Sequence, residues 1–153
     1  MTMPNPYLIQ GPAQISFSGG RSSAMMLCKI VEAHGGTLPD DVVVQFANTG
    51  KEREQTLQFV QIVTDHLGIK CHWIEYLPID DSTKLGGPQK DRWRTVDYMT
   101  ASRNGEPFAE LIRRSGIPPN VVARTCTQHL KIKPMDGKMR QLGITGYTNV
   151  AGI

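Results

Sequence analysis

Ile15-Ser16-Phe17-Ser18-Gly19-Gly20-Arg21-Ser22-Ser23-Ala24-Met25-Met26 reads as a strand that turns through two glycines directly into a helix. A helix start leaves its first backbone N–H groups without intrahelical partners, and the aligned peptide dipoles put partial positive charge at the same end. Such a turn is suited to an anion. Gly19 and Gly20 let the backbone approach a phosphate with no Cβ in the way, while Ser18, Ser22 and Ser23 add hydroxyls that either cap the helix or donate to phosphate oxygens. Taken alone, the stretch is read equally well as a tight serine-capped turn, so the neighbouring segments have to decide.

Upstream of the glycines, Ala13 to Phe17 forms a short apolar strand. Downstream, Met26, Leu27, Ile30 and Val31 recur at helical spacing to about His34, where Gly35-Gly36 stops the helix. Val42-Val43-Val44 is the second strand and leads through Asn48-Thr49-Gly50 into a helix from about Glu52 to Leu67. Gly68 closes that helix, and Lys70 to Tyr76 is the third strand. This alternation predicts an α/β fold with right-handed crossovers and a mainly parallel sheet. Ligands of such sheets sit beyond the carboxyl ends of the strands. Both SGGRSS and NTGKE fall at such ends, after consecutive strands, and their convergence favours the phosphate cradle over the bare turn.

The bulk properties agree with a soluble globular chain: 153 residues, 39% hydrophobic and 20% charged, read as one domain over residues 1–153. No apolar run approaches membrane-spanning length, and MTMPNPYLIQ lacks the layout of a signal peptide, so a cytoplasmic location is expected. A net charge of +3 permits a phosphorylated ligand without indicating nucleic acid. Cys28, Cys71 and Cys126 are widely spaced, which predicts reduced thiols, with Cys28 and Cys71 as small buried residues. His34, His66, His72 and His129 show no metal-ligand spacing, so no structural zinc is assigned, and His129 is a candidate phosphate contact. No Walker A, G-x-G-x-x-G or G-x-S-x-G motif occurs.

Residues 77 to about 120 are punctuated by Pro78, Gly86-Gly87-Pro88, Asn104-Gly105 and Pro118-Pro119 and read as a partly helical insertion or lid. Its basic residues Lys90, Arg92, Arg94, Arg103, Arg113 and Arg114 either close over a polyanion or form a solvated helical surface. Cys126 is either a nucleophilic thiolate, its pKa lowered by Arg124, Lys131 and Lys133, or a small buried residue. Tyr147 to Ile153 reads as a fourth strand, and a chain ending there looks shortened or minimal.

SGGRSS resembles the PP-loop, the SGG-x-x-S phosphate loop of the adenine nucleotide alpha-hydrolase superfamily, in its phosphoadenosine phosphosulfate (PAPS) reductase-like branch. ANTGKEREQT resembles the acidic-Thr-Gly segment of that family through Thr49, Gly50, Glu54 and Thr56, and RTCTQHLKIKP resembles its Cys-rich segment ending in Lys-x-x-Pro. The chain departs from the family pattern at Ser22 and Asn48, where Asp is common, and has no cysteine after Cys126. Neither a four-cysteine iron–sulfur cluster nor the C-terminal thiol mechanism is therefore expected.

The resemblance implies a Rossmann-like, HUP-type three-layer domain that binds ATP or a PAPS-like adenine nucleotide, with Mg²⁺ accompanying ATP. It implies phosphate or nucleotide contacts from Ser18, Gly19, Gly20, Arg21, Ser22, Ser23, Asn48, Thr49, Gly50 and Lys133, and catalytic roles for Cys126 and Lys131. The corresponding activity is an adenylylating ATP pyrophosphatase or a PAPS reductase-like reaction on an unspecified acceptor. The alternative is a nucleotide-binding or sensor module without turnover, or a subunit of a larger assembly. A homo-oligomer is compatible with either.

Overall fold

The computed structural model describes residues 3–76, 93–116 and 124–152, together with 118, 120 and 122. Lys90, Arg92, Pro78 and Gly86-Gly87-Pro88 lie outside the described residues, as does Pro119. The order of elements is β1 (Ala13–Ser16), α1 (Arg21–Ala33), β2 (Val42–Asn48), α2 (Glu54–Leu67), β3 (Cys71–Tyr76), β4 (Trp93–Val96) and α3 (Glu106–Ser115). A short turn α4 (Thr125–Thr127) runs through a π-helical segment (Gln128–Ile132) into α5 (Lys133–Gln141), and β5 (Thr148–Ala151) follows.

The strands form one five-stranded sheet in the order β4-β3-β2-β1-β5. β1, β2, β3 and β5 are parallel, and β4 runs antiparallel beside β3, so the fold is α/β with a mostly parallel sheet. The alternation of strands and helices is legible from hydrophobic spacing; β4 is not. Its four residues WRTV form an edge, half-buried or exposed along their length, and their pattern carries no apolar run. The insertion read over residues 77 to about 120 thus contains a sheet strand as well as a helix.

Alternation along the strands divides the core. Ala13 and Ile15, with Phe17 just beyond β1, join Val42, Val44, Phe46 and Trp73 on the face covered by α1 and α2, where they meet Leu27, Ile30, Leu57 and Val60. Each such side chain contributes about 1.5–3 kcal/mol through burial. The opposite face is more polar. Gln14 donates to the Met135 sulfur at 3.2 Å and Gln45 to the Met135 carbonyl oxygen at 3.1 Å, which fixes α5 across the middle of the sheet. Tyr7 and Ile9 of the lead-in pack against the first core as well. Among the described residues, no helix is long and apolar enough to cross a membrane.

The order of strands matters for function. From β1 the chain moves outward to β2 and β3, while β5 returns on the other side of β1. The carboxyl end of β1 is therefore the place where the sheet's connections diverge, and open parallel sheets present their ligand crevice there.

Candidate functional site

At the end of β1, Gly19 takes φ +78°, a conformation that side-chain-bearing residues rarely adopt. A Cβ there would also lie 2.8 Å from Thr56 Cγ2 and 3.0 Å from Val60 Cγ2, so Gly19 is needed for close packing on α2. Gly20 differs. It has an extended backbone, and a Cβ would meet nothing closer than Ser18 Oγ at 3.5 Å. The serines hold the shape of the turn: Ser23 Oγ donates to the Gly20 carbonyl at 3.0 Å and lies 2.9 Å from Ser18 Oγ, which accepts from Gly20 N–H at 3.4 Å. None of these bonds caps α1, whose N-cap Gly20 offers no side chain and whose first turn has no acidic residue. Ser22 is exposed at that open end.

The turn after β2 is built around a buried amide. Asn48 is fully buried, donates to Glu75 Oε2 at 2.6 Å and to the Ser102 carbonyl at 2.9 Å, and accepts from Gly50 N–H at 3.2 Å. Its side chain is thus occupied in shaping the loop, so a direct bond to a nucleobase or ribose is not available to it. Thr49 Oγ1 accepts from Lys51 N–H and donates to Glu52, both at 3.3 Å. Gly50, at φ +79°, lies where a Cβ would come 2.8 Å from Pro107 Cδ, which joins this loop to the start of α3. The helix begins two residues later than the spacing predicts, at Glu54, with Arg53 as an N-cap that makes no side-chain cap bond.

Two uncapped helix starts, α1 and α2, therefore open on one cleft of about 810 Å³. Gly19, Gly20 and Arg21 line it from the first turn, and Arg53, Gln55, Thr56 and Phe59 from the second helix. Five of the six arginines in β4, α3, α5 and the segments between them are ion-paired or hydrogen-bonded, whereas neither Arg21 nor Arg53 has an acidic partner among the described residues. Sequence reasoning does not single out Arg53, Gln55 or Phe59. The available signal is the start of the second crossover helix, where Gln55 and Phe59, four residues apart, share one face just after Arg53 at the N-cap.

Carboxylates hold the segment after β4 to β3 and α2. Glu75, fully buried on β3, accepts from Arg94 Nη2 at 2.9 Å, Ser102 Oγ at 2.9 Å and Ser102 N–H at 2.6 Å, besides Asn48. Glu54 accepts from Tyr98 at 2.6 Å and Arg103 Nε at 2.7 Å, and these bonds, Arg103 first, hold its carboxyl below the usual range. Arg113 and Arg114 pair with Glu110. The lid cations Arg94, Arg103, Arg113 and Arg114 are thus engaged with carboxylates of their own surroundings.

The third segment goes elsewhere. Cys126, partly buried, packs against Tyr76, Leu111 and Leu130, and burial pushes its thiol up. Of its two readings, these surroundings favour the packing residue over the nucleophile. Lys131 is half-buried on the π-helical segment. His129 and Lys133 line a separate cavity of about 270 Å³ with Tyr76 and Trp93, on the α5 face of the sheet. None of these residues borders the cleft between α1 and α2. Cys28, expected to be buried, is exposed, because position 28 falls on the outer side of α1 between the core residues Leu27 and Ile30.

Among the described residues, the lining of the cleft contains two arginines, the Thr56 hydroxyl and the Gln55 amide, and no carboxylate. At the two positions noted above as departures, Ser22 presents an exposed hydroxyl and Asn48 a buried, occupied amide. Among the described residues, no group of three or more His, Cys, Asp or Glu side chains is placed to hold a metal ion.

No family model matches the chain, and no solved structure matches it. It is 31% identical over 121 residues to the uncharacterized nin region protein ORF290 of Escherichia phage lambda, covering 78% of this chain and 40% of that protein. It is 28% identical over 127 residues to the uncharacterized protein MJ0066 of Methanocaldococcus jannaschii, covering 83% of this chain and 19% of that protein. The chain thus spans well under half the length of either relative.

Proposed function

We propose that the cleft between α1 and α2 binds the phosphates of an adenine nucleotide, ATP or a PAPS-like sulfonucleotide, in a Rossmann-like domain of the PP-loop type. One observation supports this reading: two helix N-termini without side-chain caps and two arginines without acidic partners among the described residues border the same space at the carboxyl end of β1. Backbone N–H groups at α1 donate to one phosphate group, and Arg21 and Arg53 neutralise the remaining charge with planar, paired donors. Gln55 supplies an amide and Phe59 an aromatic face to the same space, suited to a ribose or a base. The choice of adenine rests on the resemblance of SGGRSS and NTGKE to the PP-loop family.

In the adenylylating reaction that the resemblance implies, an acceptor nucleophile attacks the α-phosphorus, the bond to the bridging oxygen breaks, and pyrophosphate leaves. The chain's own part is positioning and charge stabilisation by the turn amides and the two arginines. Cys126 and Lys131 take no part in this scheme. A second reading, binding without turnover, is favoured by the lining itself, which among the described residues has no carboxylate to serve as base for an acceptor. The domain then acts as a sensor or as one part of a larger assembly.

Calorimetric titration with Mg-ATP, and separately with a sulfonucleotide, tests the site. Binding is expected in the wild type and about tenfold or more weaker in Arg53→Gln, since a charge-assisted hydrogen bond contributes roughly 1.5–3 kcal/mol. Equal heats from wild type and Arg53→Gln would remove the cleft from consideration. Pyrophosphate release over a panel of acceptors then separates the two readings.

A further inference from the structure

The lead-in ahead of β1 has no helix or strand over residues 3–12 and no charged side chain. Its own turn is local: Asn5 accepts from Tyr7 N–H through Oδ1 at 3.0 Å and from Leu8 N–H through its carbonyl at 3.1 Å. Among the described residues, one hydrogen bond ties residues 3–11 to the rest of the chain, Ile9 N–H donating to His34 Nε2 at 3.1 Å. His34 is half-buried at the C-cap of α1, where its backbone N–H bonds to the carbonyls of Ile30 and Val31. Around this bond, Tyr7 and Ile9 pack on the first core, and the Lys29 ammonium lies 5.2 Å from the centre of the Tyr7 ring. An imidazole nitrogen accepts a hydrogen bond only through its lone pair. Nε2 is therefore unprotonated here, and the ring proton of the neutral imidazole is on Nδ1.

We propose that His34 is a pH-operated latch: the neutral imidazole holds the lead-in on α1, and a proton taken up at Nε2 releases it. That proton occupies the lone pair used by Ile9 N–H, so two donors are left facing each other. The imidazolium has an alternative attraction. The last turn of α1 has no basic residue, and the carbonyl end of a helix favours positive charge. Among the described residues, His34 forms no ion pair. The charged side chains of the surrounding elements are Lys29 and Glu32 on α1 and Asp40 and Asp41 ahead of β2, and the Asp41 carboxylate fills the space where a Gly11 side chain would stand. Of these residue types, only histidine ordinarily changes charge between pH 5 and 8. Release uncovers the part of the first core on which Tyr7 and Ile9 lie. The latch does not depend on the nucleotide reading, because it works at the carboxyl end of α1 and the cleft lies at its start.

NMR reads both partners in one sample. The His34 ring is titrated from about pH 8 to about pH 5, while hydrogen exchange at the Ile9 amide is expressed as a protection factor, corrected for the intrinsic rate at each pH. Protection at Ile9 is expected to fall about tenfold across the His34 midpoint, the scale of one lost hydrogen bond. His34→Gln, which offers a neutral acceptor that does not titrate, should remove the pH dependence. His72 is intact in that variant, so a fall caused by His72 would survive there. Lys29→Gln should lower protection about threefold at every pH, as a lost surface cation–π contact does, and leave the pH-dependent step in place. Protection that stays constant from about pH 8 to about pH 5 would overturn the latch, whether or not the ring titrates in that range. A step that persists in His34→Gln would overturn it too, as would an Ile9 amide already unprotected at the upper end of the range.

Discussion

Gly19 and Gly20 are neighbours with different duties. Gly19→Ala forces a positive φ on a side-chain-bearing residue and drives its Cβ into Thr56 and Val60, so a loss of about 1–3 kcal/mol is expected in denaturant unfolding. Gly20→Val, with open space around it, should leave the melting temperature nearly unchanged and weaken nucleotide binding in calorimetry. The sequence presents SGG as one unit, and only the contact with α2 separates a packing glycine from a ligand-facing one. His72 makes a pH prediction at the same scale. Its folded value of about 4 lies below the unfolded 6.5, so the unfolded chain takes up the proton first as pH falls. Stability is therefore fully present at pH 6.5 and above and declines as pH falls towards 4. In phosphate-free buffer, His72→Gln should flatten that part of the melting curve against pH.

At the scale of elements, the three crossover strands and two helices are legible because their apolar residues keep the periods of strand and helix. Val42-Val43-Val44 and Leu57, Val60, Val63 and Leu67 state the layers almost directly. β4 is not legible, because an edge strand held by ion pairs needs no apolar alternation. Arg94 sits opposite Glu75 in the antiparallel register and contributes a charge where a pattern search looks for a valine. The same cause hides the true employment of the insertion's arginines, whose partners Glu54, Glu75 and Glu110 are distant in sequence or lie on the same helix. Glu75→Ala should leave Asn48 and the Ser102 amide without their acceptor and cost about 3 kcal/mol, as buried donors left unpaired cost about 1–3 kcal/mol each. Faster proteolysis within residues 93–105 is the accompanying sign, and an unchanged cleavage rate would show that β4 is held by other contacts.

Across the whole molecule, consecutive parallel strands put the turns after β1 and β2 at the same end of the sheet, but the cleft there is lined by the SGGRSS turn and the start of α2, and Asn48, Thr49 and Gly50 are not among its lining residues. The placement of Cys126 and Lys133 is a part that spacing predicts poorly: a π-helical segment rotates the faces of a helix relative to an ideal repeat, and linear order does not say which side of the sheet the helix covers. β5 adds a dynamic consequence. Among the described strands it bonds to β1 alone and is mostly exposed, and at its end Gly152 is packed so closely on α1 that a Cβ would lie 3.1 Å from Ser23 Cα. Strands with few buried contacts open at a lower free energy than the domain as a whole. The amides of Thr148 to Ala151 should therefore exchange with deuterium well before those of β2, and each opening withdraws the neighbour that steadies the first turn of α1. Nucleotide, if held by that turn, should slow exchange in β5 without touching it, so the fraying of one edge strand becomes a gauge of how often the phosphate cradle is formed.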